Sequence, residues 1–306
     1  MLRYTCKRLA TGLLALYVLV TAAFFLTRMM PGSPFQGGDA TEAVTAAVEE
    51  AYGLKEPLWR QYGTYLGNLL KGDLGISYKK PGVTVRQVIG RGWPATALVG
   101  FLAVVTAALF GTLLGIWQAL SKRRTVRGSI FLGTLLGAGI PNFVLALLLA
   151  LGFGVKLKLL PIAGLTEPAG YILPVFSLAV YPTAVITKTM CHALEDELEK
   201  EYVKMARAKG LKWRRTVVGH MLKNAWIPVL NYIGPAAAFL LTGSFAVESI
   251  FTIPGLGREF VNSIANRDYT LILGLTVFMG VVVIGVNLVT DLLCAWLNPA
   301  VRRACR

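Results

Sequence analysis

Side chains that commonly carry chemistry are scarce in this sequence. It holds two histidines, His192 and His220, and four cysteines, Cys6, Cys191, Cys294 and Cys305. Cys191 adjoins His192, but two neighbouring ligand types without a second pair fall far short of a zinc pattern, so no metal-ligating set is assigned. No nucleophile is matched to a base, so no catalytic residue is assigned. A phosphate-cradling loop of the form G-x-x-x-x-G-K-[ST] is absent. The nearest fragment, Gly152-Phe153-Gly154-Val155-Lys156, lacks both the spacing and the hydroxyl residue. Any work this chain takes part in must draw its energy from elsewhere.

The bulk of the chain explains that scarcity. Of 306 residues, 55% are hydrophobic and 15% charged, with a formal net charge of +15, whereas a soluble domain carries roughly a quarter charged residues. Six stretches hold no Asp, Glu, Lys or Arg: 9–27, 92–121, 128–155, 168–187, 224–247 and 269–290. A hydrocarbon core of about 30 Å and a helical rise of about 1.5 Å per residue ask for roughly 20 residues, and each run reaches or nearly reaches that length. In lipid the backbone must satisfy its own hydrogen bonds, so such runs are helices. Segments such as Ala146-Leu147-Leu148-Leu149-Ala150-Leu151 do not alternate as barrel strands do. The expectation is an all-α membrane protein with six transmembrane helices. The first run follows Arg3, Lys7 and Arg8 as a secretory signal would. It exceeds a typical apolar signal core of about 7 to 15 residues and ends without a small-x-small site, so it is expected to stay.

Basic residues orient the spans. With the N-terminus inside, the cytoplasmic segments carry Arg3, Lys7 and Arg8; Lys122, Arg123, Arg124 and Arg127; a run between Lys188 and Lys223; and Arg302, Arg303 and Arg306. Most basic residues outside fall in one long loop, to which the positive-inside rule barely applies. Both termini are therefore expected in the cytoplasm of a bacterial inner membrane. All four cysteines then lie near the reducing face, where disulfides do not persist. The basic excess flanks membrane spans and forms no continuous basic face, so no nucleic acid is expected as a partner; membrane lipid is.

The connectors divide the chain into an N-terminal tail with the first span (1–30), an external subdomain (31–91), a five-helix core (92–298) and a cytoplasmic tail (299–306). In the external part, residues 42–52 and 57–70 read as short helices, the second with Leu58, Tyr62, Leu66 and Leu69 at helical spacing. An inert spacer, a lid over the outer mouth and a docking surface all fit it. The cytoplasmic connector 191–226 is the richest segment. Leu194, Leu198, Tyr202 and Met205 form one apolar stripe at helical spacing, and Arg207, Lys209 and Gly210 suit a helix C-terminus. A second helix restarts with Val217, Met221 and Trp226 on one side. By composition this is either an interfacial helix on anionic lipid or a knob offered to a protein groove.

Motifs in sequence order carry a resemblance. Residues Glu201-Tyr202-Val203-Lys204-Met205-Ala206-Arg207-Ala208-Lys209-Gly210-Leu211, followed by His220, Asn224-Ala225 and Pro228, resemble the cytoplasmic coupling loop of binding-protein-dependent ABC importer permeases of the peptide and nickel branch. Pro31-Gly32-Ser33-Pro34-Phe35, Thr242-Gly243-Ser244 with Glu248, Ile250-Phe251, Pro254-Gly255-Leu256-Gly257 and Asn266-Arg267-Asp268-Tyr269 are similar to the same branch. The likeness runs the length of the chain and is nearest to the first permease subunit of oligopeptide importers. It implies a type I ABC importer permease fold, a second permease subunit, two cytoplasmic ABC ATPase subunits and an external solute-binding protein. ATP and magnesium would belong to the partner subunits, with no cofactor bound by this chain. The coupling helix would dock on an ATPase through Glu201, Tyr202, Met205, Ala206, Arg207, Ala208, Lys209 and Gly210. The general Glu-Ala-Ala pattern is here Lys204-Met205-Ala206, so no salt bridge from a motif glutamate is implied.

The spans hold few charges, and these lie near their ends: Lys188, Glu248 and Asp291. That is poor material for the proton relay of an autonomous carrier. Gly111-x-x-x-Gly115 and Gly133-x-x-x-Gly137 allow close helix approach, and Pro141, Pro182 and Pro235 are candidate kinks. Modest polar groups, Asn142, Ser177, Thr183, Asn231, Thr242 and Ser244, are candidates to line a translocation path. Glu248, Pro254, Gly255 and Gly257 are candidates for an outer gate. The function these readings converge on is the permease of a peptide importer. A nickel or metal-chelate importer permease is the near alternative, weakly opposed by the lack of a His, Cys or Met cluster in the spans. An autonomous secondary carrier or channel is the alternative of another class.

Overall fold

The computed structural model describes residues 2–30 and 53–297. The helix expected over 42–52, the Pro31-Gly32-Ser33-Pro34-Phe35 segment and the 299–306 tail lie outside the described residues. Those described form helices and turns, with a single isolated bridge between Ile76 and Thr84. Helix α1 covers Leu2–Met29, α2 Leu58–Leu70, α3 Val85–Leu120, α4 Arg124–Gly139 and α5 Asn142–Leu149, which runs on as a π-helix over Ala150–Lys156. A 3-10 turn at Pro168–Tyr171 leads into α6, Ile172–Leu198, and the short α7 follows at Glu201–Ala208. Helix α8, Trp213–Thr216, passes through a π-turn at Val217–Met221 into α9, Leu222–Thr242; then come α10 Phe245–Ile250, α11 Leu256–Ala265 and α12 Tyr269–Leu297.

Five stretches, Thr5–Met29, Val85–Leu120, Pro168–Leu198, Trp213–Thr242 and Tyr269–Ala295, are each long and apolar enough to cross a bilayer. The remaining crossing is made differently. Arg124–Gly139 and Asn142–Lys156 meet at a bend of 101°, and neither arm alone reaches the roughly 20 residues a crossing needs. Only taken together, as one bent pair, are they long and apolar enough to count as a sixth, broken span. Pro141 stands at the break. The residue before it, Ile140, is pushed to an extended ψ of 120°, as the ring of a following proline requires. Pro182 and Pro235 behave otherwise, because α6 and α9 run unbroken through them.

Helix ends also outrun the charge-free runs. Helix α3 begins at Val85 because Thr84 and Gln87 form a reciprocal cap on its first turn, which fixes a start independent of where lipid begins. Composition marks the hydrocarbon, and capping marks the helix.

The core is the seam between α3 and α6. A Cβ added at Gly111 or Gly115 would come within 2.7 Å of Ile186 or Met190 Cβ, so the two backbones lie closer than any side chain allows. Helices in lipid gain little from apolar burial against each other, and close packing of small residues supplies the attraction instead. Gly137 makes a similar approach to Val180, at 3.1 Å, while Gly133 of the same motif faces open space. Helix α1 lies outside this core against α12. On the outer side, α2 packs on the end of α1, where Phe24 is fully buried, stacked on Tyr65 at 5.7 Å and beside Tyr62 at 5.2 Å. The Tyr62 hydroxyl and Thr21 share a hydrogen bond of 2.7 Å.

Candidate functional site

Two joints between spans gather most of the singled-out residues. At the cytoplasmic joint, α6 stops at Leu198 and α7 starts at Glu201, so the stripe Leu194, Leu198, Tyr202, Met205 does not run along one helix. The break rotates the second half. Val203 and Ala206 face inward, Val203 fully buried, while Met205 is 56% exposed. Glu201, Lys204, Met205 and Ala208, at positions i, i+3, i+4 and i+7 of the helix, form the outward face. Ala206, expected on the docking surface, instead packs α7 against its own chain.

The end of α7 is fixed by its glycine. Gly210 has φ +75°, a conformation costing most other residues about 1–2 kcal/mol. Its N–H donates to Arg207 O at 2.9 Å, and Leu211 N–H donates to Ala206 O at 3.1 Å, the bond pair of a Schellman stop. The Arg207 guanidinium then lies over Trp213 at 4.3 Å, tying the stop to α8. Val217, Met221 and Ala225 line the buried side of the returning helix, with Trp226 half-buried beside them.

One network binds the joint together. The Tyr202 hydroxyl donates to Glu197 at the end of α6, and the Asn224 amide donates to the same carboxylate at 3.0 Å. Burial, and then the bond to Glu197, push the Tyr202 phenol up to about 12, so it stays a neutral donor. The sequence reading missed Glu197, which no motif marks. Arg127 pairs with Glu195 at 2.5 Å between α4 and α6, and His192 lies 3.7 Å from Glu195. Among the described residues no three of His, Cys, Asp or Glu converge as metal ligands would.

The outer joint is built around Glu248, in the hairpin between the last two crossings. Its side chain is buried, 4% exposed. Thr96 Oγ1 donates to one carboxylate oxygen at 2.9 Å, and Arg258 N–H at the start of α11 donates to the other at 2.8 Å. Leu256 N–H in turn donates to Thr96 Oγ1 at 2.8 Å. A carboxylate at a helix N-terminus satisfies orphan N–H groups and the helix dipole together. Glycines make room for it: a Cβ at Gly255 would lie 2.4 Å from the Glu248 carboxyl carbon, and one at Gly243, φ +96°, 2.6 Å from its oxygen. Burial pushes this carboxyl above the usual range, opposed by the Arg258, Thr96, Gly257 and Ser244 hydrogen bonds. So Glu248, Gly255 and Gly257 do meet, with Pro254 in the adjoining turn, but as a packed joint and not as the lining of an opening. Thr96, a hydroxyl inside an apolar run, gave no sequence signal.

A second outer tie uses Asp268, 1% exposed. It accepts from the Ser77 hydroxyl, from Tyr78 N–H at 3.0 Å and from Leu271 N–H at 3.2 Å. Lys80 pairs with Glu259 at 2.6 Å. The loop before α3 is thereby pinned to the hairpin after α9.

The candidate path residues do not gather in one place. Ser177 is 1% exposed and donates to Pro174 O at 2.8 Å, so it belongs to the packed core and lines nothing. Thr183 and Thr242 each bond a carbonyl of their own helix, at 2.7 and 2.8 Å. Asn231 is exposed on α9, and Ser244 is half-buried just before α10. Thr183 lies in the wall of a groove between α3, α4 and α6, and Asn142 opens on a separate cavity at the broken span, about 410 Å³, whose wall also includes Pro141, Tyr181, Pro182 and Tyr232. The two tyrosines were not singled out by sequence.

Residues 111–303 match the family described as binding-protein-dependent transport system inner membrane component. The chain belongs to this family, and is a multi-pass bacterial inner-membrane transport component with the all-α fold of type I ABC importer permeases. It is 39% identical over 303 residues to the dipeptide transport system permease protein DppB of Bacillus subtilis (strain 168), covering 99% of this chain and 98% of that one. It is 38% identical over 305 residues to the oligopeptide transport system permease protein OppB of Haemophilus influenzae, covering 99% and 100%. In fold it is similar to a chain of an amino acid ABC transporter with histidines, with TM-score 0.55 and 17% identity over 68% of this chain and 93% of that. The inward-facing MetNI methionine transporter gives TM-score 0.55 and 14% identity over 70% and 97%.

Proposed function

We propose that this chain is one permease of a peptide-importing ABC transporter, forming the translocation path with a second permease. The observation that carries this reading is likeness along the whole chain to permeases named for dipeptide and oligopeptide transport. Substrate would arrive from an external binding protein, and ATP, with magnesium, would be hydrolysed by two separate cytoplasmic subunits. The outward face of α7, Glu201, Lys204, Met205 and Ala208, is the surface offered to an ATPase groove, a helix-in-groove contact. Tyr202, Arg207 and Gly210 hold that face in place. The cavity beside Asn142, Tyr181 and Tyr232 is the stretch of the path this chain contributes, since a broken helix at membrane depth is tolerated where it lines a cavity.

Rocking of the two permeases would alternate access, with force entering through α7 and passing along α6 and α9 by way of Tyr202, Glu197 and Asn224. The test is reconstitution with the partner subunits and binding protein in liposomes. ATP-dependent uptake of a labelled tri- or tetrapeptide is expected, with none when the ATPases are omitted. Uptake by this chain alone would point to an autonomous carrier, and uptake of a nickel chelate in place of peptide to the metal branch.

A further inference from the structure

We infer that the inner half of the α3–α4 hairpin holds an anionic phospholipid, one acyl chain lying in the groove between α3, α4 and α6 and its phosphate on Lys122 and Arg124. The groove is large, about 720 Å³, and walled by Phe110, Leu114, Trp117, Ile130, Phe176 and Val180. It exists because α4 stands away from α3: Gly133, the one glycine of its motif that packs on nothing within 4 Å, opens onto it.

Its length selects the occupant. On α3 the wall runs from Thr106 to Trp117, on α4 from Thr125 to Gly137 and on α6 from Phe176 to Thr187, each about 17 Å at a rise of about 1.5 Å per residue. That matches one leaflet, half of an approximately 30 Å hydrocarbon core. A transmembrane helix of a second subunit would call for a groove about twice as long.

Charge selects the headgroup. At the cytoplasmic turn of the same hairpin, a more open cavity of about 600 Å³ is walled by Gln118, Lys122, Arg124, Arg127, Gly128 and Phe131, next in sequence to Trp117 and Thr125 of the groove. Arg127 is already paired with Glu195. Lys122 and Arg124 are exposed there. Basic pockets between spans on the cytoplasmic side are where anionic headgroups settle. The placement also gives Lys122 and Arg124 a binding role beyond orienting the spans.

Native mass spectrometry of the assembled transporter, titrated with phosphatidylglycerol or phosphatidylcholine, tests this. Phosphatidylglycerol is expected to bind at least tenfold more tightly, and the double variant Lys122→Gln/Arg124→Gln to lose that preference, each basic residue near the surface being worth about 1 kcal/mol. Gly133→Leu, whose Cβ would meet nothing within 4 Å and whose side chain would enter the groove, is expected to weaken both lipids. Equal binding of the two lipids, or binding unchanged in both variants, overturns the proposal. Should a variant assemble poorly, photoactivatable phosphatidylglycerol on the unaltered transporter decides. Label on residues of α4 supports the site, and label elsewhere, or a Gly133→Cys crosslink to the second permease, overturns it.

Discussion

The inner and outer joints each link successive spans and use their charges in opposite ways. Outside, Glu248 and Asp268 are buried to 4% and 1% exposure and bonded on all sides by N–H and hydroxyl groups. Inside, the charges of α7 stay in water while its small apolar residues, Val203 and Ala206, hold it down. A buried carboxylate with its hydrogen bonds satisfied fixes one geometry, because any opening strands it and its donors. A short helix held by two apolar contacts, one phenol and a glycine stop is anchored on one face and leaves the other exposed.

The contrast can be broken most readily from outside. Glu248→Ala should strand Thr96 and the α11 N–H groups at roughly 1–3 kcal/mol each. The expected result is loss of most monodisperse protein on detergent extraction and a large fall in melting temperature, with Glu248→Gln recovering part. A Glu248→Ala chain as stable as the parent would show that the outer joint is not a lock. Asp268→Ala comes next, at about 2 kcal/mol for the same reason, read as earlier proteolysis of the loop 71–84. At the inner joint the penalties are smaller. Gly210→Ala forces a Cβ into the left-handed region for about 1 kcal/mol, a modest melting shift with reduced peptide-stimulated ATP hydrolysis. Met205→Glu closes the series: stability should move by less than about 0.5 kcal/mol, as at ordinary surface sites, while ATPase stimulation and uptake fall severalfold or more. If Met205→Glu destabilised the chain as much as Glu248→Ala, α7 would be core and not a presented face.

The crossings were legible from charge-free runs, because lipid excludes ions whatever the tertiary packing. The broken span was only half legible: Pro141 was visible, but so were Pro182 and Pro235, and nothing local tells a tolerated proline from a break. Neighbouring helices settle that by re-satisfying freed backbone groups or leaving them to a cavity. The stripe Leu194, Leu198, Tyr202, Met205 misled because spacing assumes one continuous helix, and two residues, Glu199 and Lys200, interrupt it. Ser177 misled for a similar reason, since a hydroxyl can bond its own backbone and disappear into a core.

By itself, then, the sequence determined the class of molecule, the apolar stretches that cross and the place of the short helix in the 191–226 connector. Each rests on composition or on a turn signal such as Gly210, which acts within a few residues. Only the tertiary structure decided which face of α7 looks outward, that Glu248 is sealed by Thr96 from 152 positions away, and that α4 leaves a groove open beside α3. Those outcomes depend on which distant atoms arrive at a given place, and no local rule of spacing or propensity contains that information.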